Sequence, residues 1–139
     1  MAESAPTAPF AQFVVDVEDI IDLGSIAIGH RRLVPITGGT VSGPIGAGIV
    51  LPGGADWQWL HADGTIALDA HYVLRLDSGE LVEVQSTGLR HVPVDGPVYF
   101  RTVVRMTTTS DRPDINQRLF ISVGSRLERQ VVLDLYPVG

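Results

Sequence analysis

Two carboxylates stand where their neighbours favour proton-transfer chemistry. Asp56 follows the glycine turn Gly53-Gly54-Ala55 and precedes Trp57-Gln58-Trp59. A carboxyl group beside large rings loses hydration, which raises its pKa and suits it to general acid or base work near neutral pH. The structural alternative is an Asp that hydrogen-bonds the glycine turn before it. Asp69 falls in the middle of a strand-like run, where Asp has low propensity, and shares a strand face with His71. An Asp-x-His pair can orient an imidazole and fix its tautomer; a surface pair, or a partner for an interior Arg, uses the same residues without chemistry. Arg101, within Tyr99-Phe100-Arg101, and Arg90, at the end of the preceding run, offer planar forks that clamp a carboxylate or enolate oxygen. Internal ion pairs to Asp69, Asp56 or Glu83 are the alternative for Arg101, and Arg90-His91 also reads as loop. Trp57 and Trp59 are candidate pocket walls. Tyr99 and Asn116 complete the candidate substrate contacts, with a cap or turn as the other use of Asn116.

Other chemistries find little support. The four histidines, at 30, 61, 71 and 91, show no His-x-His or His-Glu-x-x-His spacing, so no metal site is expected. There is no cysteine, hence no disulfide framework and no thiol nucleophile. Gly43-Pro44-Ile45-Gly46-Ala47-Gly48 lacks the βαβ context of a dinucleotide loop and reads as a hairpin or bulge. No serine sits in a nucleophile elbow. Ten arginines, no lysine and 16 acidic residues leave a net charge of −6. That balance argues against nucleic acid or an anionic membrane as partner, since both require a basic footprint. No apolar run approaches the ~20 residues of a membrane span. The start MAESAPTAP has neither the basic nor the apolar stretch of a signal peptide, and a cytoplasmic location is expected.

The elements that must position these residues are strands. Val, Ile and Thr number 18, 10 and 9, and β-branched side chains suit a pleated surface. Turn signals at Asp63-Gly64, Asp77-Ser78-Gly79 and Asp95-Gly96-Pro97 separate short runs, the spacing of antiparallel hairpins. Strands are predicted at 10–17, 31–41, 46–51, 55–61, 65–76, 80–90, 98–108, 118–126 and 131–138, with 1–9 a loose tail and 10–139 one domain. A bulge is expected at Gly38-Gly39, a loop or helical turn at 19–24, and a single helical turn after Pro113. Alternation gives each strand one apolar face and one mixed face. Ile66, Leu68, Ala70, Tyr72 and Leu74 oppose Asp69, His71 and Arg75; Phe100, Thr102 and Val104 oppose Tyr99, Arg101 and Arg105; Leu119, Ile121 and Val123 oppose Arg118, Phe120 and Ser122. In a sandwich the mixed face meets solvent. In a closed barrel it can instead line a pocket while the apolar face packs under a partner subunit.

Five motifs occur in order: Pro35-Ile36-Thr37-Gly38-Gly39-Thr40, Leu51-Pro52-Gly53-Gly54-Ala55-Asp56-Trp57-Gln58, Leu68-Asp69-Ala70-His71-Tyr72, Gly88-Leu89-Arg90 and Tyr99-Phe100-Arg101. Over roughly residues 10–138 the chain resembles a family of small bacterial and fungal proteins catalogued as a domain of unknown function. The resemblance implies an all-β fold, a single antiparallel β-barrel of about eight to ten strands, often oligomeric and mostly without assigned activity. Two segments depart from that family. Only eight residues separate Arg90 from Tyr99, where relatives carry a longer insertion, and Pro113-Asp114-Ile115 replaces aromatic residues ahead of Asn116. Relatives also often carry Arg at the position of His71.

The functional expectation is a small-molecule enzyme of isomerase, cyclase or lyase/hydratase type that needs no cofactor. A dry pocket, one carboxylate to move a proton and one cation to hold an oxyanion suffice for such reactions. Asp56 and Asp69 are the acid/base candidates and Arg101 the charge stabiliser. Two alternatives stand beside it: a lipocalin-like barrel that binds an apolar small molecule without catalysis, and an oligomeric assembly module. A homo-oligomer is compatible with all three.

Overall fold

The computed structural model describes residues 8–139; of the tail expected over 1–9, residues 1–7 lie outside that range. Ten strands follow in order: β1 (Ala11–Val17), β2 (Ile21–Ile26), β3 (Gly29–Ser42), β4 (Gly48–Val50), β5 (Ala55–Leu60), β6 (Ile66–Leu76), β7 (Leu81–His91), β8 (Tyr99–Thr107), β9 (Leu119–Arg126) and β10 (Gln130–Pro137). One helical turn, α1 (Pro113–Asn116), lies between β8 and β9. All pairings are antiparallel. The path runs β1-β10-β9-β8-β7-β6, continues through β4 and β5 to β3, and closes into a barrel where β3 pairs β1.

The ten strands fill eight positions around the barrel because β3 is 14 residues long and serves two partners along each edge. On one edge its first half pairs β2 and its second half β1; on the other the first half pairs β5 and the second half β4. The register of β1 against β3 skips Thr37 beside Gly38-Gly39. At Gly39 φ is +144°, and a Cβ would lie 2.2 Å from the Val14 carbonyl oxygen, so only glycine lets the strands approach there. Residues 19–24, expected as loop or helix, contribute most of β2 instead. That strand is exposed along its whole length and is broken in register at Gly24, whose φ is +93°. It therefore carries no burial period for a sequence to display.

Closure sorts the faces strand by strand. In β6 and β8 the apolar face points inward: Leu68, Tyr72, Leu74, Phe100, Val104 and Met106 are buried. In β9 the mixed face points inward, with Phe120 and Ser122 fully buried, while Leu119 and Val123 are exposed. One end of the barrel is solid. Phe13, Val50, Leu74, Val82, Leu135 and Ile45 fill it, and α1 closes it by driving Ile115 into the core with no exposed surface. Arg112 fastens this floor by donating to the Glu80 carboxylate at 3.0 Å, the Ile45 carbonyl at 3.1 Å and Asp114 at 3.0 Å. Asn116 fixes the turn: its Oδ1 accepts from the Thr108 amide at 2.8 Å, and its Nδ2 donates to the Thr108 carbonyl at 3.0 Å.

Candidate functional site

The other half of the barrel is hollow. A cavity of about 260 Å³ lies between the packed core and the rim formed by the end of β1, the start of β3 and the ends of β7 and β9. This is near the lower bound of ordinary small-molecule sites. Its walls are mainly Val, Ile, Leu and Phe100. Phe100 can lie flat against β9 because Gly124 faces it; a Cβ there would meet the ring at 2.8 Å.

Inward parity on β5 places Asp56 and Gln58 in this cavity, and on β3 it adds Arg32, in phase with the buried Val34 and Ile36. The three polar side chains form a relay. Arg32 Nη2 donates to Gln58 Oε1 at 2.7 Å, which orients the amide so that Nε2 donates to Asp56 Oδ2 at 2.8 Å. The other carboxylate oxygen, Oδ1, accepts from the backbone N–H of Asp69 at 3.0 Å. Burial pushes the Asp56 pKa above the usual carboxylate value; the two hydrogen bonds oppose this, as does the Arg126 charge. Desolvation wins, so Asp56 is a carboxyl group that holds its proton to higher pH than a surface Asp.

Arg90 and Arg126 also line the cavity, from the ends of β7 and β9. Three guanidinium groups thus share a small chamber with one carboxyl group. The crowding registers on Arg126, whose pKa is lowered first by burial and then by the Arg90 charge, with Arg32 adding to the repulsion and Asp56 opposing it. It remains a cation, because no such shift deprotonates a guanidinium at neutral pH. Beneath them, Ser86 Oγ donates to Thr102 Oγ1 at 2.8 Å and Thr102 is hydrogen-bonded to Ser122, so the hydroxyls of β7, β8 and β9 satisfy one another.

Of the residues expected from sequence to form the site, the structure brings Asp56 and Arg90 into the cavity and turns most of the others outward. Asp69 is exposed and presents only its backbone N–H to Asp56. His71 lies on the outer face, 2.6 Å from Glu83. Arg101 also points out: its Nη1 donates to the Phe100 carbonyl at 2.9 Å and its guanidinium lies 5.5 Å from the Tyr99 ring. Trp57 and Trp59 lie on the barrel exterior, where Arg31 stands over both, 5.2 and 4.6 Å from the ring centroids. Tyr99 is 52% exposed, and Asn116 belongs to the floor turn. One cause covers the six on strands. Each has the parity opposite to the buried residues of its own strand, and on β5, β6 and β8 that parity faces solvent.

Arg32, Gln58 and Arg126 were missed by sequence reasoning. Their signal is phase: Arg32 precedes Val34 and Ile36 by steps of two, and Arg126 follows Phe120, Ser122 and Gly124 in the same way.

A protein-family model described as "Protein of unknown function (DUF3237)" matches residues 6–138. A UPF0311 protein of Bradyrhizobium diazoefficiens is 34% identical over 136 residues, 88% of this chain and 89% of that protein. The crystal structure of a conserved protein of unknown function from Rhodopseudomonas palustris superposes with a TM-score of 0.89 at 32% identity, covering 97% of this chain and all (100%) of that one. That of a beta-barrel like protein from Acinetobacter baumannii gives 0.88 at 30% identity, over 99% and 100% of the two chains.

Proposed function

The chain belongs to the DUF3237 family, and on that premise we propose that it is a cytoplasmic enzyme that converts an apolar small molecule by proton transfer, without a cofactor. The reaction class is isomerisation, cyclisation or the addition or loss of water. The observation that carries this reading is the Asp56 carboxyl group: it is buried against a cavity, raised in pKa, and held by an amide that is itself held by Arg32. A carboxyl poised in this way can protonate a substrate carbon or oxygen and, as the carboxylate, take a proton back from the product-forming centre. Guanidinium groups at the same chamber stabilise negative charge as it develops on a substrate oxygen. In this reading the charge-stabilising role expected of Arg101 passes to Arg90 and Arg126, and Asp56 acts alone as the acid/base group.

Mixtures of small metabolites incubated with the protein in D₂O and followed by mass spectrometry provide the test. Proton-transfer chemistry of this kind yields products that are isomers of the substrate or differ from it by one water, each shifted by one mass unit for every deuterium taken from solvent. The expected result is a set of conversions made by the wild-type protein and lost with Asp56→Asn. Equal conversion by both proteins removes Asp56 from the chemistry. Retention of compounds without conversion favours the lipocalin-like binding barrel.

A further inference from the structure

We propose that the rim of the cavity is a site for an organic anion, in which Arg90 and Arg126 hold a carboxylate whose apolar body lies against Leu68, Phe100 and Leu133. This rests on the lumen being the ligand site, as in the preceding reading, but not on Asp56 moving a proton.

The argument begins with charge. The chain has 16 acidic residues for ten arginines, yet among the described residues only two arginines have a carboxylate partner. What sets the chamber apart is that its arginines are unpaired where water is partly excluded rather than on the hydrated outer face. Arg112 pairs with Glu80 and Asp114, and Arg129 with Asp19. Among the described residues, none of Arg32, Arg90 and Arg126 has a carboxylate oxygen within 4 Å. The one acid in the chamber, Asp56, turns its oxygens toward Gln58 and the Asp69 amide. The hydrogen-bond inventory agrees. Arg32 is committed to Gln58; Arg126 has one long contact, Nη2 to the Glu128 carbonyl at 3.5 Å; Arg90 has none, and its buried Nε is unpartnered, as is that of Arg32.

Holding guanidinium groups together in a partly desolvated chamber costs free energy that a strand of Val or Thr at the same positions would avoid. A ligand anion offsets that cost. The planar fork of Arg matches the two oxygens of a carboxylate, and the apolar walls require the rest of the ligand to be hydrocarbon. The cavity volume of about 260 Å³ restricts the body to about the size of a single ring.

Isothermal titration with benzoate, cyclohexanecarboxylate, benzyl alcohol and phenyl phosphate tests this directly. The carboxylates are expected to bind at least about tenfold tighter than the alcohol. That preference should collapse in Arg90→Met and Arg126→Met and persist in Arg75→Met, which alters an exposed arginine away from the cavity. Tighter binding of phenyl phosphate than of benzoate would overturn carboxylate as the ligand class. Equal binding of alcohol and carboxylate, no binding of any probe, or a preference that survives both arginine substitutions would overturn the anion site itself. The wild-type comparison stands even if an arginine variant does not fold. Neither result bears on proton transfer, because loss of conversion in Asp56→Asn is read separately.

Discussion

Asp56 carries a penalty in the folded state that its exposed counterparts do not. Its pKa is raised above the ordinary 3.8 by burial, so between 3.8 and the raised value the folded protein binds more protons than the unfolded chain. Stability contributed by this group is therefore present below that window and lost as pH rises through it. Replacing Asp56 by Asn removes the titration and adds a pH-independent offset from one lost acceptor. The expected outcome is a difference in Tm, variant minus wild type, that grows more positive as pH rises above 3.8 and levels once Asp56 is ionised in the folded protein; thermal melts from acid to alkaline pH check it, and a flat difference would show that Asp56 is not desolvated. Asp56 was legible in the sequence because a carboxylate between a glycine turn and two tryptophans is unusual. Asp69 and Arg101 looked equally suitable, and His71 less so, but all three lie on the opposite parity, and alternation does not say which parity a barrel turns inward. The rule also differs between strands: β8 turns its apolar face in, β9 its mixed face.

At the level of elements, strand ends were readable to within two residues wherever one face is buried, since burial imposes the period of two on the sequence. β2 was not, because neither of its faces is buried. The double service of β3 was also hidden: it depends on which strands meet its two edges, a matter of long-range pairing. The floor turn shows how a short element can matter beyond its length. Ile115 is fully buried, and Arg112 joins it to the β6–β7 turn and to the segment around Ile45. Ile115→Ala should destabilise by ~2–4 kcal/mol through the cavity it leaves, and Arg112→Ala by about 1–3 kcal/mol through lost charge-assisted hydrogen bonds at a part-buried site. Chemical denaturation measures both. Ligand binding at the far end should change little in either variant, and a large loss there would show that floor and cavity are coupled.

For the whole molecule, the outer surface bears on assembly. Leu89, Val103, Leu119 and Val123 on β7, β8 and β9 are 47%, 44%, 48% and 38% exposed, a concentration of apolar side chains on the outer faces of adjacent strands. We expect a homo-oligomer that covers them. Light scattering coupled to size-exclusion chromatography should return a multiple of 14.9 kDa, falling to 14.9 kDa with Val103→Glu; a wild-type monomer would refute it.

The division of the barrel into a packed half and a hollow half reaches further than this one chain. Most of the fully buried side chains lie in the half away from the rim, whereas the rim itself is set by Ile20, Arg32, Arg90 and Arg126, none of which is buried in the core. Substitutions at the rim can therefore be sampled without spending the stability held below. A scaffold partitioned in this way tolerates change of ligand more readily than change of fold, and relatives with about a third of their residues in common can share one architecture while their chambers diverge.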